Sequence, residues 1–141
     1  MGTSRRRPDP RKLKKLTLDT GALIAFDRGD RRMRALLEDL RSQGGRVVVP
    51  TCALAEVWRD GASQAELAKL VNSDFAIIED LDGPRAKAVG ELCGLRDSSD
   101  IVDAFVVLTA MRYGRMVVTG DADDLSHIDR GLEIVPVSGP R

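Results

Sequence analysis

Short apolar runs alternate with helical patterns from about residue 16 to residue 136. Leu16–Leu18, Arg46–Val49, Phe75–Ile78, Met116–Thr119 and Leu132–Val135 read as strands. Several of these runs are apolar throughout, with no polar residue at every second position. That is the signature of strands covered on both faces, as in a parallel sheet. Between them lie stretches of helical period. Thr20–Phe26 is a brief helix, and Asp30–Ser42 carries Met33, Leu36, Leu37 and Leu40 along one face before Gly44 and Gly45 stop it. Pro50 and Thr51 open a helix to about Arg59, with Thr51 as the expected N-cap and Gly61 beyond its end. Ser63–Val71 follows, with Ser63 and Glu66 spaced as a capping box. Pro84 sets the first turn of a helix to Leu95. Ser98 and Ser99 precede a helix over Asp100–Tyr113 that Gly114 ends, and Asp121–Ser126 reads as a short helical turn. Strands alternating with helices predict an α/β fold with a parallel sheet between two helical layers.

Against this apolar background four carboxylates stand out: Asp19 in LTLDTGALIAF, Glu56 in VVVPTCALAEVW, Asp103 in SSDIVDAFVVL and Asp121 in VVTGDADDL. Burying an ionised carboxylate costs several kcal/mol or more, about what a compensating partner must return. No pattern of buried Lys or Arg matches them, so a hard divalent cation with oxygen ligands, Mg²⁺ or Mn²⁺, is the simplest partner. In open parallel sheets, ligands bind beyond the carboxyl ends of the strands, near a topological switch point. Asp19 directly follows the first strand and Asp121 the fourth, so both project from that edge. Glu56 lies in the helix after the second strand, and Asp100 and Asp103 share a helical face. All reach one pocket if the first and fourth strands are neighbours. Each also has a plainer use: Asp19 can cap the helix after it, Asp100 can sit in a first turn, and Asp121 can be a turn residue after Gly120. Glu56 and Asp103, inside apolar helices, are harder to explain as solvated side chains.

Length and charge refine the picture. The chain has 141 residues, enough for one sizeable core, with Lys plus Arg equal to Asp plus Glu at 22 each. That balance conceals an asymmetry: residues 1–15 hold Arg5, Arg6, Arg7, Arg11, Lys12, Lys14 and Lys15 against Asp9 alone. Residues 1–15 are therefore read as a flexible basic arm, suited to phosphate contact or simply to solubility, and residues 16–141 as the domain. No run is long and apolar enough to span a membrane, and the basic start has no apolar segment of the secretory kind. Cys52 and Cys93, in apolar surroundings, read as reduced thiols of a cytoplasmic protein. Neither has a second Cys or a His at ligand spacing.

Other chemistries lack their residues. His127, the single histidine, lies in the polar turn DDLSHID, so no convincing Ser–His or Cys–His pair exists. No phosphate-cradling glycine motif is present. A phosphoacceptor receiver domain would need adjacent acids after the first strand and a late lysine, yet no Lys follows Lys87. Carboxylate-held metal remains, and it can activate a water and stabilise the leaving oxygen at a phosphodiester.

The segments LDTGALIAFDRGD, VVVPTCALAEVWRDG, SSDIVDAFVVLTAMRYG and VVTGDADDL, in this order, resemble PIN-domain endoribonucleases, most closely the toxins of VapBC-type toxin–antitoxin pairs. The resemblance spans Leu16 to about Val137. It implies a PIN-like fold of about five parallel strands between helices, usually a homodimer. It further implies that Asp19, Glu56, Asp103 and Asp121 bind Mg²⁺ or Mn²⁺, with Asp100 as a fifth acid. Thr20 and Thr119 match hydroxyl positions that orient a carboxylate or water, while Asp123 and Asp124 match supporting positions. The implied substrate is RNA, often tRNA or ribosomal RNA, and the implied partner is a small antitoxin whose basic C-terminal segment reaches the acids. Two departures are the fifteen or so residues before the first strand and Gly120 ahead of Asp121, where some relatives carry a larger polar or basic residue. The other reading is a non-catalytic module that keeps the fold to bind RNA or protein. Leu36, Leu37, Leu40 and Trp58 are candidates for partner or dimer contact, Trp58 also for the core.

Overall fold

The computed structural model describes residues 14–119 and 132–136. In chain order it contains β1 (Lys15–Leu18), α1 (Thr20–Asp27), α2 (Arg31–Ser42), β2 (Arg46–Pro50), α3 (Thr51–Val57), α4 (Ala65–Val71) and β3 (Ala76–Glu79). These are followed by α5 (Gly83–Arg96), α6 (Ile101–Arg112), β4 (Met116–Thr119) and β5 (Glu133–Pro136). The five strands form one all-parallel sheet in the order β3-β2-β1-β4-β5, flanked by helices, as the apolar runs predict. Val47, Val48 and Val49 are fully buried, and so are Val117 and Val118, which explains why no polar residue interrupts these strands.

The strand order contains the switch that the site requires. The chain moves outward from β1 to β2 to β3, then returns to place β4 on the other side of β1. Leu18 pairs with Val118, so β1 and β4 end side by side. Their carboxyl ends are therefore the switch point, the place where open parallel sheets bind ligands. From the other end of the sheet, Gly45 lets the turn after α2 pass close to β1. A Cβ there would lie 2.7 Å from the Lys14 carbonyl and collide with Leu40. Lys14 and Lys15 thus belong to the sheet edge, with the Lys14 carbonyl accepting from Arg46 N–H at 3.1 Å. The rest of the basic arm lies outside the described residues.

Several helix ends differ from expectation. Asp30 and Asp82 cap α2 and α5 by accepting from Met33 N–H and Arg85 N–H, at 2.9 Å each. Thr51 does not cap α3: Pro50 holds that position and the Thr51 hydroxyl accepts from Leu81 N–H at 3.2 Å, joining the start of α3 to the loop before α5 instead. Nor does Ser63 open α4. Gln64 takes the cap position, and the Ser63 hydroxyl donates to the Asp60 carbonyl. The helix α3 ends at Val57, two residues early, because Trp58 adopts an extended backbone. Trp58 itself is half-buried against the main core. Cys93 is buried with Val89, Ala104 and Phe105 between α5 and α6; Cys52 packs beside them, and both thiols are free.

Candidate functional site

Asp19 stands at the switch point. It is the N-cap of α1, and its Oδ1 accepts from Ala22 N–H at 2.8 Å. Its other oxygen, Oδ2, accepts a short bond from the Thr119 hydroxyl at the end of β4. Its own N–H donates to the Val118 carbonyl at 3.2 Å. The cap role anticipated for Asp19 and its place at the switch point are both realised, one on each oxygen. Only 5% of the residue is exposed, so these bonds fix the carboxylate rather than leave it to solvent.

Glu56 is brought to the same corner through a hydroxyl. Thr20, next to Asp19, donates from Oγ1 to Glu56 Oε1 at 2.7 Å. The apolar neighbours of Glu56 suggested a buried charge, yet the residue is exposed. The helix turns Ala53 and Val57 inward and leaves Glu56 on the outer side, one turn from Cys52. The Cys52 thiol is held above its ordinary pKa by burial and, second, by the Glu56 carboxylate.

Asp100 and Asp103 form a separate pair. Asp100 caps α6, its Oδ1 accepting from Asp103 N–H at 2.9 Å, so it is exposed and outside the helix rather than its first residue. Asp103 is half-buried in the first turn. Behind it Ala104–Val107 are buried, and α6 packs on β1, β4 and α3, the elements that carry Asp19, Thr119 and Glu56. Among the described residues no three of these groups lie close enough together to hold one ion. Asp121, Asp123, Asp124 and His127 lie outside the described residues. The donor chemistry of the acids nonetheless fits a hard divalent cation: Asp19, Glu56, Asp100 and Asp103 offer only carboxylate oxygen, with neither thiolate nor imidazole among them.

Sequence reasoning missed a second buried carboxylate. Glu79, at the end of β3, is also 5% exposed. It accepts from Arg85 Nε at 2.7 Å, from Arg112 Nη1 at 2.8 Å and from the Tyr113 hydroxyl at 3.1 Å. Matching cations thus do exist in the fold, but on Glu79. This cluster raises the Arg85 pKa, chiefly by its bond to Glu79, and raises that of Tyr113 by burial and then by the bond to Glu79. A faint signal was available: FAIIED ends an apolar strand on an acid, as LTLD does. Elsewhere a cavity of about 550 Å³ opens between α2 and α4, lined by Phe26, Arg34, Leu37, Arg41, Leu70 and Phe75. Glu38 and Glu66 line it, but Asp19, Glu56, Asp100 and Asp103 do not.

Fold and site together define a parallel α/β protein with Asp19 buried at its switch point and Glu56 held beside it through Thr20. The PIN domain model matches residues 16–131, so the chain belongs to the PIN domain family. PIN domains are typically nucleases, hydrolases of nucleic acid that generally use divalent metals. A search of the curated proteins finds no match. No helix among the described residues is long and apolar enough to cross a membrane.

Proposed function

We propose that this chain is a Mg²⁺- or Mn²⁺-dependent endoribonuclease, acting in the cytoplasm as the toxin of a type II toxin–antitoxin pair. The observation that carries the reading is Asp19: a carboxylate buried at the switch point, oriented from both sides, one residue from the hydroxyl that holds Glu56. In this reading Asp19, Glu56, Asp100, Asp103 and Asp121 hold the metal, which when bound supplies Lewis acidity and an activated water. The chain's own hydroxyls do the orienting. Thr119 fixes the plane of Asp19, and Thr20 keeps the exposed Glu56 from swinging into solvent. The substrate is RNA, with tRNA or ribosomal RNA as first candidates. The partner is a small antitoxin whose basic C-terminal segment meets these acids, supported by their shared negative charge and the exposure of Glu56 and Asp100. A homodimer is the expected assembly, and the part of the basic arm that precedes Lys14 is expected to act separately from the domain.

The test is RNA cleavage with Mg²⁺, Mn²⁺ or EDTA, wild type beside Asp19→Asn. Metal-dependent cutting that disappears in the variant supports the reading. Cutting that survives Asp19→Asn, or that proceeds in EDTA, overturns it. A second reading, a non-catalytic RNA- or protein-binding module, is favoured by the lack of a preassembled three-acid group among the described residues. Calorimetric titration with Mn²⁺ separates the two, since the module reading expects no saturable binding.

A further inference from the structure

Glu56 leads directly into a corner rich in arginine. Arg28 caps the end of α1, Arg31 and Arg32 open α2, and Arg59 follows the end of α3 three residues beyond Glu56. All four are exposed, and none pairs with a carboxylate among the described residues. Acids do lie nearby, but each engages the chain itself. Asp27 accepts from Gln64 Nε2 at 3.1 Å, Asp30 from Met33 N–H at 2.9 Å and Asp60 from Ala62 N–H at 3.0 Å. By contrast Arg34, Arg85 and Arg112 are paired, with Glu66 and Glu79.

Two further observations mark this corner. Gln64 clamps it: its Oε1 accepts from Arg59 N–H at 2.7 Å and Asp60 N–H at 3.0 Å, while its Nε2 donates to Asp27 and to the Val57 carbonyl. The ends of α1 and α3 are therefore tied together, and Arg59 is further anchored through Nη1 to the Trp58 and Ala55 carbonyls, at 2.7 and 3.3 Å. The second observation is electrostatic. Arg31 and Arg32 occupy the N-terminus of α2, whose first turn holds no acid, where the helix dipole is positive and cations are unfavourable. Side chains that break a local rule without a compensating contact point to a role outside the fold.

We propose that Arg59, Arg28, Arg31 and Arg32 form a track that positions the phosphate backbone of single-stranded RNA beside the acids, with Arg59 at its inner end. The proposal rests on the nuclease reading for its substrate. These are positioning residues: each guanidinium takes a phosphate, carrying no base information and leaving the reacting atoms to the acids.

The experiment measures binding of a fluorescent oligouridylate in EDTA across a salt series, for wild type, Arg59→Ala, Arg59→Lys, the Arg31→Ala/Arg32→Ala pair and Arg96→Ala as a control on α5. Each arginine lost from the track should flatten the slope of log affinity against log salt by about 0.7. Arg59→Lys should keep the slope, and Arg96→Ala should match wild type. In cleavage assays the track variants should raise KM and keep kcat. The Arg31 and Arg32 side chains make no bond among the described residues, so an unchanged urea midpoint for this pair should accompany its loss of affinity. Wild type that cuts RNA while every variant keeps its slope overturns the track and leaves the nuclease standing. Wild type that binds through these arginines but never cuts does the reverse. Wild type that ignores RNA, or binds polyglutamate in its place, overturns the track.

Discussion

Asp19 and Glu79 are buried to the same extent at the carboxyl ends of strands separated only by β2, yet the fold treats them differently. Glu79 receives two guanidinium groups and a phenol from its own chain, which joins β3 to the start of α5 and the end of α6. Asp19 receives an amide and a hydroxyl, and the next residue holds a further carboxylate rather than a cation. The first arrangement neutralises charge within the protein and ties three elements together. The second orients a carboxylate at the switch point of the sheet. Burial alone therefore does not tell the two acids apart; the donors around each do.

The comparison is most severely tested by stripping Glu79 of its cations. Arg85→Ala with Arg112→Ala should lower the urea midpoint more than any other change named here, because the carboxylate stays buried without its counter-charges. A urea midpoint within error of wild type would show the cluster to be ornamental. Asp19→Asn should behave in the opposite way. Asn caps a helix as well as Asp, so stability should move by less than about 1 kcal/mol. RNA cleavage should nonetheless fall about a hundredfold or more, on the scale of losing one oriented group at a reacting centre. Equal losses of stability and activity would erase the distinction between the two acids.

Smaller effects sharpen it. Thr109 in α6 has a buried hydroxyl with no partner among the described residues, so Thr109→Val should stabilise by about 1 kcal/mol in the same urea titration. The raised pKa of Tyr113 means that the fold favours the neutral phenol. Its contribution is present below the unfolded value of about 10 and lost as pH rises through the folded value. Between those two values, wild type should lose stability faster with rising pH than Tyr113→Phe. Last, the raised pKa of Cys52 leaves little thiolate at mildly alkaline pH. Glu56→Gln removes one of its causes and should speed maleimide labelling of Cys52, but only modestly, since burial is the larger cause.

Much of the fold was legible because its signals are local. Val47–Val49 and Val117–Val118 announce double-sided burial, and the spacing of Met33, Leu37 and Leu40 announces a helical face. The acids at the open edge were legible from the same pattern, as charges interrupting apolar runs. Glu56 was legible by place but not by burial, since one turn of helix decides which side an apolar neighbourhood leaves open. Glu79 was opaque because what defines it lies six residues ahead at Arg85 and more than thirty ahead at Arg112 and Tyr113. Thr51 and Ser63 misled for a related reason. A hydroxyl with the spacing of a cap can serve a loop instead, and here both do.

The bond between Asp19 and Thr119 spans 100 residues, and it has a consequence for the growing chain. Until β4 is made, β1 has β2 on one side and nothing on the other, a parallel edge with open amide and carbonyl groups. A nascent or truncated chain that stops before Thr119 thus carries Asp19 without the hydroxyl that holds its Oδ2. Assembly of the corner waits until β4 has been made, so products that stop earlier should be prone to edge-to-edge association and poor in the geometry that the folded domain attains.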